Sequence, residues 1–144
     1  TYKANLKRTV ASTREKGGMP VLITSMERMA GVDKDTLENY PATVCEVAKE
    51  DNVPLIDLHA KSRVFYKALG GDLKKAFQDG THHNNYGSYE LAKCVVQGIR
   101  DNKLDIAKYI SDDVERFDPA HPDSVEKFDM PASPGTSGAK PLGD

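Results

Sequence analysis

An α/β fold built on parallel strands is the prediction, and three features of the 144-residue chain carry it. Two short, continuous, apolar runs, Pro20 to Thr24 and Val53 to Leu58, have the character of strands buried on both faces of a parallel sheet. Amphipathic helical stretches lie before and after each run, so the chain alternates helix and strand. A glycine- and asparagine-rich loop, DGTHHNNYG from Asp79 to Gly87, leads into a helix, where α/β proteins keep their sites.

Taken in order, Tyr2, Leu6 and Val10 recur every four residues through a stretch rich in lysine and arginine, which predicts a helix ending at the Gly17, Gly18 pair. The first strand follows. Ser25 to Asp35 is polar and contains Gly31, so it reads as a loop at that strand's carboxyl end. Asn39 or Tyr40 caps the next helix, with Pro41 at its first position and Val44, Val47 and Ala48 as its buried stripe. Asp51 and Asn52 end it before the second strand. Ser62 to Leu69 resumes a helical pattern with Val64, Phe65 and Leu69 inside, Gly70 and Gly71 break the chain, and Leu73 to Phe77 makes a short amphipathic turn. Beyond the glycine- and asparagine-rich loop, Leu91, Val95 and Ile99 predict one more helix, and Leu104, Ile106, Tyr109 and Ile110 suit a further short one. From Phe117 the composition changes to proline, aspartate, serine and glycine, too little apolar surface to offset the entropy of ordering. Ser133 to Asp144 therefore reads as a flexible tail, with Phe117, Phe128 and Met130 strapping the earlier part onto the body. The expected organisation is a domain over residues 1–110 and an extended, partly flexible tail over 111–144.

A chain of this length buries a substantial core, and 38% hydrophobic with 29% charged residues is ordinary globular composition. The net charge of −2, with acids and bases interleaved, argues against nucleic acid as a ligand. The longest apolar run, Pro20 to Ile23, is far short of the roughly 20 residues that span a bilayer, so no membrane segment is expected. Cys45 and Cys94 fall on the apolar sides of two helices and read as buried free thiols. Two strands leave unpaired edges where open α/β sheets carry about five. Together with a start at Thr1 rather than methionine, this predicts a processed or truncated piece of a longer protein.

The chemistry concentrates in the DGTHHNNYG loop. Asp79 lies three positions before His82, close enough to accept a hydrogen bond from one imidazole nitrogen, fix the tautomer and leave the other nitrogen free to take a proton from a nucleophile. The plain alternative is that Asp79 caps a turn and His82 packs beneath the following helix; spacing alone does not separate the two. A metal reading of Asp79, His82 and His83 is disfavoured because adjacent side chains point apart and no companion ligand is at hand. Asp57 and His59, at the end of the second strand, are expected to serve in packing and capping, and His121 to be solvated. Ser25 follows the first strand, in the chain order serine, aspartate, histidine, but Thr24, Met26 and Glu27 around it lack the glycines of a nucleophile elbow. Ser12 and Ser88 lie within helices and Ser62 opens one, so no serine here resembles an activated hydroxyl.

In combination, MPVLIT, then NYPATVCEVAKEDNVPLIDLHAKS, then QDGTHHNNYGSYELAKCVVQGI resemble the C-terminal half of an SGNH, or GDSL-type, hydrolase, and within that superfamily the rhamnogalacturonan acetylesterase group. The likeness covers Tyr2 to about Ile99, and its most specific element aligns the family's D-x-x-H motif onto Asp79 and His82. The resemblance implies a three-layer α/β/α sandwich of which this chain supplies the last two parallel strands and their helices. It implies His82 as general base, oriented by Asp79, in a serine esterase that removes O-acetyl groups from carbohydrate of the pectin or rhamnogalacturonan type, with no metal or organic cofactor. It places the serine and the oxyanion donors in N-terminal GDS and G-x-N-D blocks; neither string occurs here, so an N-terminal half is the implied partner and the chain alone is expected to be inactive. Ser25 stands where the family pattern has proline. Secretion to the periplasm or medium is implied by the same resemblance. The competing readings are a noncatalytic binding or structural module of the same fold and a lipase-like esterase of the same superfamily, the latter ranked lower because the loops offer little apolar sequence to an acyl chain.

Overall fold

Helix α1 (Tyr2–Glu15) is capped by the Thr1 side chain, which accepts from the Ala4 amide, and Gly17, at φ 76°, turns the chain out of it. These are the opening elements of a computed structural model in which residues 1–130 are described; the tail expected over Ser133–Asp144 lies outside the described residues. Strand β1 (Leu22–Ile23) pairs in parallel with β2 (Leu55–Ile56), in the register Leu22 with Leu55 and Ile23 with Ile56. Between them come a single 3-10 turn (Met29–Val32) and helix α2 (Tyr40–Glu50). Helix α3 (Leu58–Leu69), a second 3-10 stretch (Gly70–Ala76), helix α4 (Asn85–Asp101) and 3-10 turns at Asp105–Tyr109 and Val125–Lys127 complete the order.

The two-residue period of a strand sorts the sheet's side chains into layers. Leu22 and Leu55 face α1 and α2, where they join Val10, Val44, Val47, Ala48 and Val53 in one core cluster. Ile56 points the other way, against α4, where Gly98 leaves room: a Cβ there would stand 2.6 Å from the Ile56 side chain. On that side Leu58, Phe65, Tyr66, Phe77, Tyr86, Leu91 and Cys94 form the second cluster. The chain is therefore a mixed α/β fold with a parallel sheet between two helical layers, as the sequence predicts. No helix among the described residues is long and apolar enough to cross a membrane.

Three details differ from the sequence reading. The strands are two residues long rather than five or six, because pairing stops where Asp57 turns from strand to cap and accepts from the Ala60 amide, starting α3 at Leu58 and leaving Ser62 buried in its interior. Ile23 is 44% exposed because α4 lies over β2 and not over β1, so the first strand is buried on one face only. Val64 points to solvent; Phe65 and Tyr66 fill the core instead. The further short helix expected after α4 forms as the 3-10 turn Asp105–Tyr109, with Ile106 and Tyr109 largely exposed. Both cysteines are free, Cys94 buried and Cys45 half-buried.

Residues 111–130 run back along α4 from its end toward its start. Arg100 donates to the Val114 and Glu115 carbonyls, Gln97 accepts from the Phe117 amide, and Lys93 pairs with Asp123 at 2.7 Å. Tyr86 then donates to the Asp123 carbonyl, and Phe128 stacks edge-on against Tyr86. Phe117 and Phe128 thus hold this segment onto the body, while Met130 is exposed.

Candidate active site

The sequence from Asp79 to His82 makes its own small structure. One Asp79 oxygen accepts from the amides of Thr81 (2.7 Å) and His82 (2.8 Å), an aspartate turn. The other stands 2.8 Å from His82 Nδ1. The His82 amide, the His82 ring and the Thr81 amide hold the Asp79 carboxyl down at about 2. An ionised carboxylate only accepts, so Nδ1 carries the proton of this bond and Nε2 is the basic nitrogen. The His82 side chain is 74% exposed, which leaves Nε2 open to a reacting group.

The same local device occurs a second time. Asp118 accepts from the Ala120 amide, and its second oxygen lies 2.9 Å from His121 Nδ1. An aspartate three residues before a histidine therefore closes this contact on its own, and the contact alone does not mark a site. Context separates the two. Asp118 and His121 sit on an exposed segment, whereas the Asp79 loop is tied down on three sides. Gly80 accepts from the Met29 amide, which joins it to the loop at the carboxyl end of β1. Gln78 donates through its amide to the His82 carbonyl and through its side chain to the His83 carbonyl. Asn84 caps α4 by accepting from the Gly87 amide and also donates to the Lys75 carbonyl. Gly87 permits this close approach, since a Cβ there would lie 2.2 Å from the Ala76 carbonyl oxygen.

His83 faces away from His82. Its ring lies 4.2 Å from Phe77 and stacks on Tyr66, with Nε2 2.7 Å from the Tyr66 hydroxyl. That hydroxyl has one proton and gives it to the Glu27 carbonyl at 2.7 Å, so it accepts from His83, which fixes the Nε2–H tautomer. Burial, and secondarily the charge of His82, lowers the His83 pKa, and burial raises that of Tyr66. His83 thus pins the loop from beneath, and it does not converge with Asp79 and His82 on a metal.

Ser25 is exposed, and no hydrogen bond joins it to His82 among the described residues. Asp57 caps α3 and accepts from Thr24 at 2.9 Å, as expected of a strand-end residue. The role of His59 differs from the expectation of packing: its Nε2 lies 3.2 Å from Glu27 and 3.8 Å from Asp35. Glu27, Asp35 and His59 bring one ligand atom each to within 4.8 Å of the others, a grouping that sequence reading missed. Nothing in the polar stretch around Glu27 signals that its carboxylate is fully buried.

The chain is similar to two proteins of Bacillus subtilis (strain 168). It is 35% identical to the one named "Probable rhamnogalacturonan acetylesterase YesY" over 120 residues, covering 76% of this chain and 55% of the relative. It is 32% identical to the one named "Rhamnogalacturonan acetylesterase RhgT" over 130 residues, covering 76% of this chain and 56% of the relative. The chain thus spans about half the length of the curated relatives it matches. No protein-family model matches it, and no solved structure matches it significantly. Over that shared stretch the chain is related to the rhamnogalacturonan acetylesterase-like group of SGNH, or GDSL-type, hydrolases.

Proposed function

We propose that this chain is the C-terminal portion of a serine esterase that hydrolyses O-acetyl esters on carbohydrate of the pectin or rhamnogalacturonan type, with His82 as general base and Asp79 as the residue that orients it. The observation that carries the proposal is the 2.8 Å contact between Asp79 and His82 Nδ1, on a loop anchored to the loop that follows β1. The two acetylesterases to which the chain is similar supply the substrate class.

In this reading a serine from an N-terminal segment attacks the acetyl carbonyl while His82 Nε2 takes its proton, and Asp79 stabilises the imidazolium. Collapse of the tetrahedral intermediate breaks the bond to the sugar oxygen, which receives the proton from His82. Water, deprotonated by His82, then attacks the acetyl-enzyme and releases acetate and the serine. Oxyanion donors from the same N-terminal segment hold the developing charge. The exposed Ile23 of β1 and the strand's free edge suit completion of the sheet by that segment. Residues 1–110 are the C-terminal part of the catalytic domain and 111–144 the tail that follows it, and the protein works outside the cytoplasm, where pectic polymers are met.

The test is acetate release from acetylated rhamnogalacturonan and from 4-nitrophenyl acetate. Activity is expected once the chain is joined to an N-terminal part bearing a GDS serine, and removing that nucleophile should cost about 10⁶ in turnover. His82→Ala should abolish the recombined activity. Full activity in that variant, or a completed protein with no hydroxyl beside His82, would overturn the proposal.

A further inference from the structure

We propose that Glu27, Asp35 and His59 form a binding site for a divalent transition-metal ion of the zinc class, structural in role and separate from the Asp79 and His82 pair. The site lies between the loop that follows β1 and the first turn of α3.

The chemistry begins with a buried charge. The Glu27 side chain has no exposed surface, and its carboxylate accepts from the Arg28 amide and from the Thr36 amide and hydroxyl, with His59 Nε2 at 3.2 Å. No lysine or arginine pairs with this buried carboxylate among the described residues. Its side-chain partners are Thr36 and His59 alone among the described residues. A cation held jointly by Glu27 and His59 would place a positive charge directly beside this buried carboxylate.

Donor type and spacing fit such an ion. One imidazole nitrogen and two carboxylates are nitrogen and oxygen ligands of the kind zinc takes, with bonds of about 2.0–2.2 Å that set neighbouring ligand atoms roughly 3.3 Å apart in a tetrahedron. His59 Nε2 lies 3.2 Å from Glu27 Oε2 and 3.8 Å from Asp35 Oδ1. The first separation is long for a charge-assisted hydrogen bond, which is usually about 2.7–2.9 Å, and close to the edge of a coordination tetrahedron. An ion on that edge replaces the shared proton.

The supporting contacts resemble those that orient metal ligands. The Arg28 and Thr36 amides and the Thr36 hydroxyl fix the Glu27 carboxylate, and the Leu37 amide fixes Asp35. Gly31 lies directly against the Glu27 side chain, where a Cβ would stand 1.7 Å from Cγ, so the carboxylate has no other place to turn. Asp35 is half exposed, which gives an ion a way in and leaves the remaining coordination position to water. The consequence is mechanical: the ion would clamp the loop that follows β1, which bonds to Gly80 and to Tyr66, onto α3.

The experiment titrates the chain with zinc at neutral pH by calorimetry, with cobalt absorption as a reporter of nitrogen and oxygen ligation and thermal unfolding as a second readout. One ion per chain should bind and raise the melting temperature. His59→Gln, which keeps a polar contact to Glu27, should abolish binding. Asp35→Asn, at a half-exposed position that leaves the fold intact, should weaken it by at least about tenfold, the smallest loss seen for outer-shell partners. His82→Gln and His121→Gln should leave it unchanged. Binding that survives His59→Gln, that vanishes with His82→Gln or His121→Gln, or that needs millimolar zinc would overturn the site and leave His59 as a hydrogen-bond partner of Glu27 only.

Discussion

Asp79 and His82 show what a short stretch of sequence settles by itself. Their contact spans three residues and rests on an aspartate turn, so it forms wherever the local sequence allows, as Asp118 and His121 demonstrate. Because the Asp79 pKa is depressed from its ordinary 3.8 to about 2, the ordering it provides is fully present above about pH 4 and is lost as pH falls through about 2. Amide exchange should therefore show the Thr81 and His82 amides losing protection across that range, and Asp79→Asn should remove the pH dependence. Under the proposed function, with the chain joined to a part bearing the serine, Asp79→Asn should lower turnover by about 10⁴, the loss typical when a triad histidine is held in the wrong tautomer. The residues that support the loop were not legible in this way. Tyr66 is 17 positions from His83 and 39 from Glu27, and nothing in the local pattern links them.

Elements were read more securely than their ends. The helices were visible because the apolar stripes of α1, α2 and α4 repeat at helical spacing, whereas the strands shortened because Asp57 takes up capping before the apolar run is finished. The start of α4 carries the most consequential local contacts. Asn84→Ala should destabilise the protein by about 2 kcal/mol, roughly half from the lost helix cap and half from the lost bond to the Lys75 carbonyl, measured by urea unfolding. Gly87→Ala should cost about 1–3 kcal/mol in the same assay, since the added methyl meets the rigid Ala76 carbonyl rather than a side chain that can move.

At the scale of the whole molecule, α4 is held between the sheet and the segment that runs back along it. The contact turns on Lys93, which lies 2.8 Å from the buried Glu90, 2.7 Å from Asp123 and 4.3 Å from the centre of the Phe117 ring. Burial raises the Glu90 pKa; burial also opposes the charge on Lys93, but the bonds to Asp123 and Glu90 prevail and raise its pKa. Lys93→Met leaves Glu90 buried without its cation and should destabilise the protein by about 3 kcal/mol. Adding Glu90→Gln should recover most of that loss in urea unfolding, because the penalty belongs to the stranded charge and not to the pair.

From the order of residues alone came the alternation of helices and strands, the turn glycines, and the pairing of an acid with an imidazole in the DGTHHNNYG loop. All of these depend on interactions within a few positions, or on a periodicity that one face of an element imposes. Folding in three dimensions decided which face of β1 is covered, the inward turn of His83, and the gathering of Glu27, Asp35 and His59 around one point. Those outcomes join residues tens of positions apart, and an isolated glutamate in a polar loop carries no mark of the amides that will surround it. Sequence periodicity records which side of an element is apolar, but not which distant polar groups meet there.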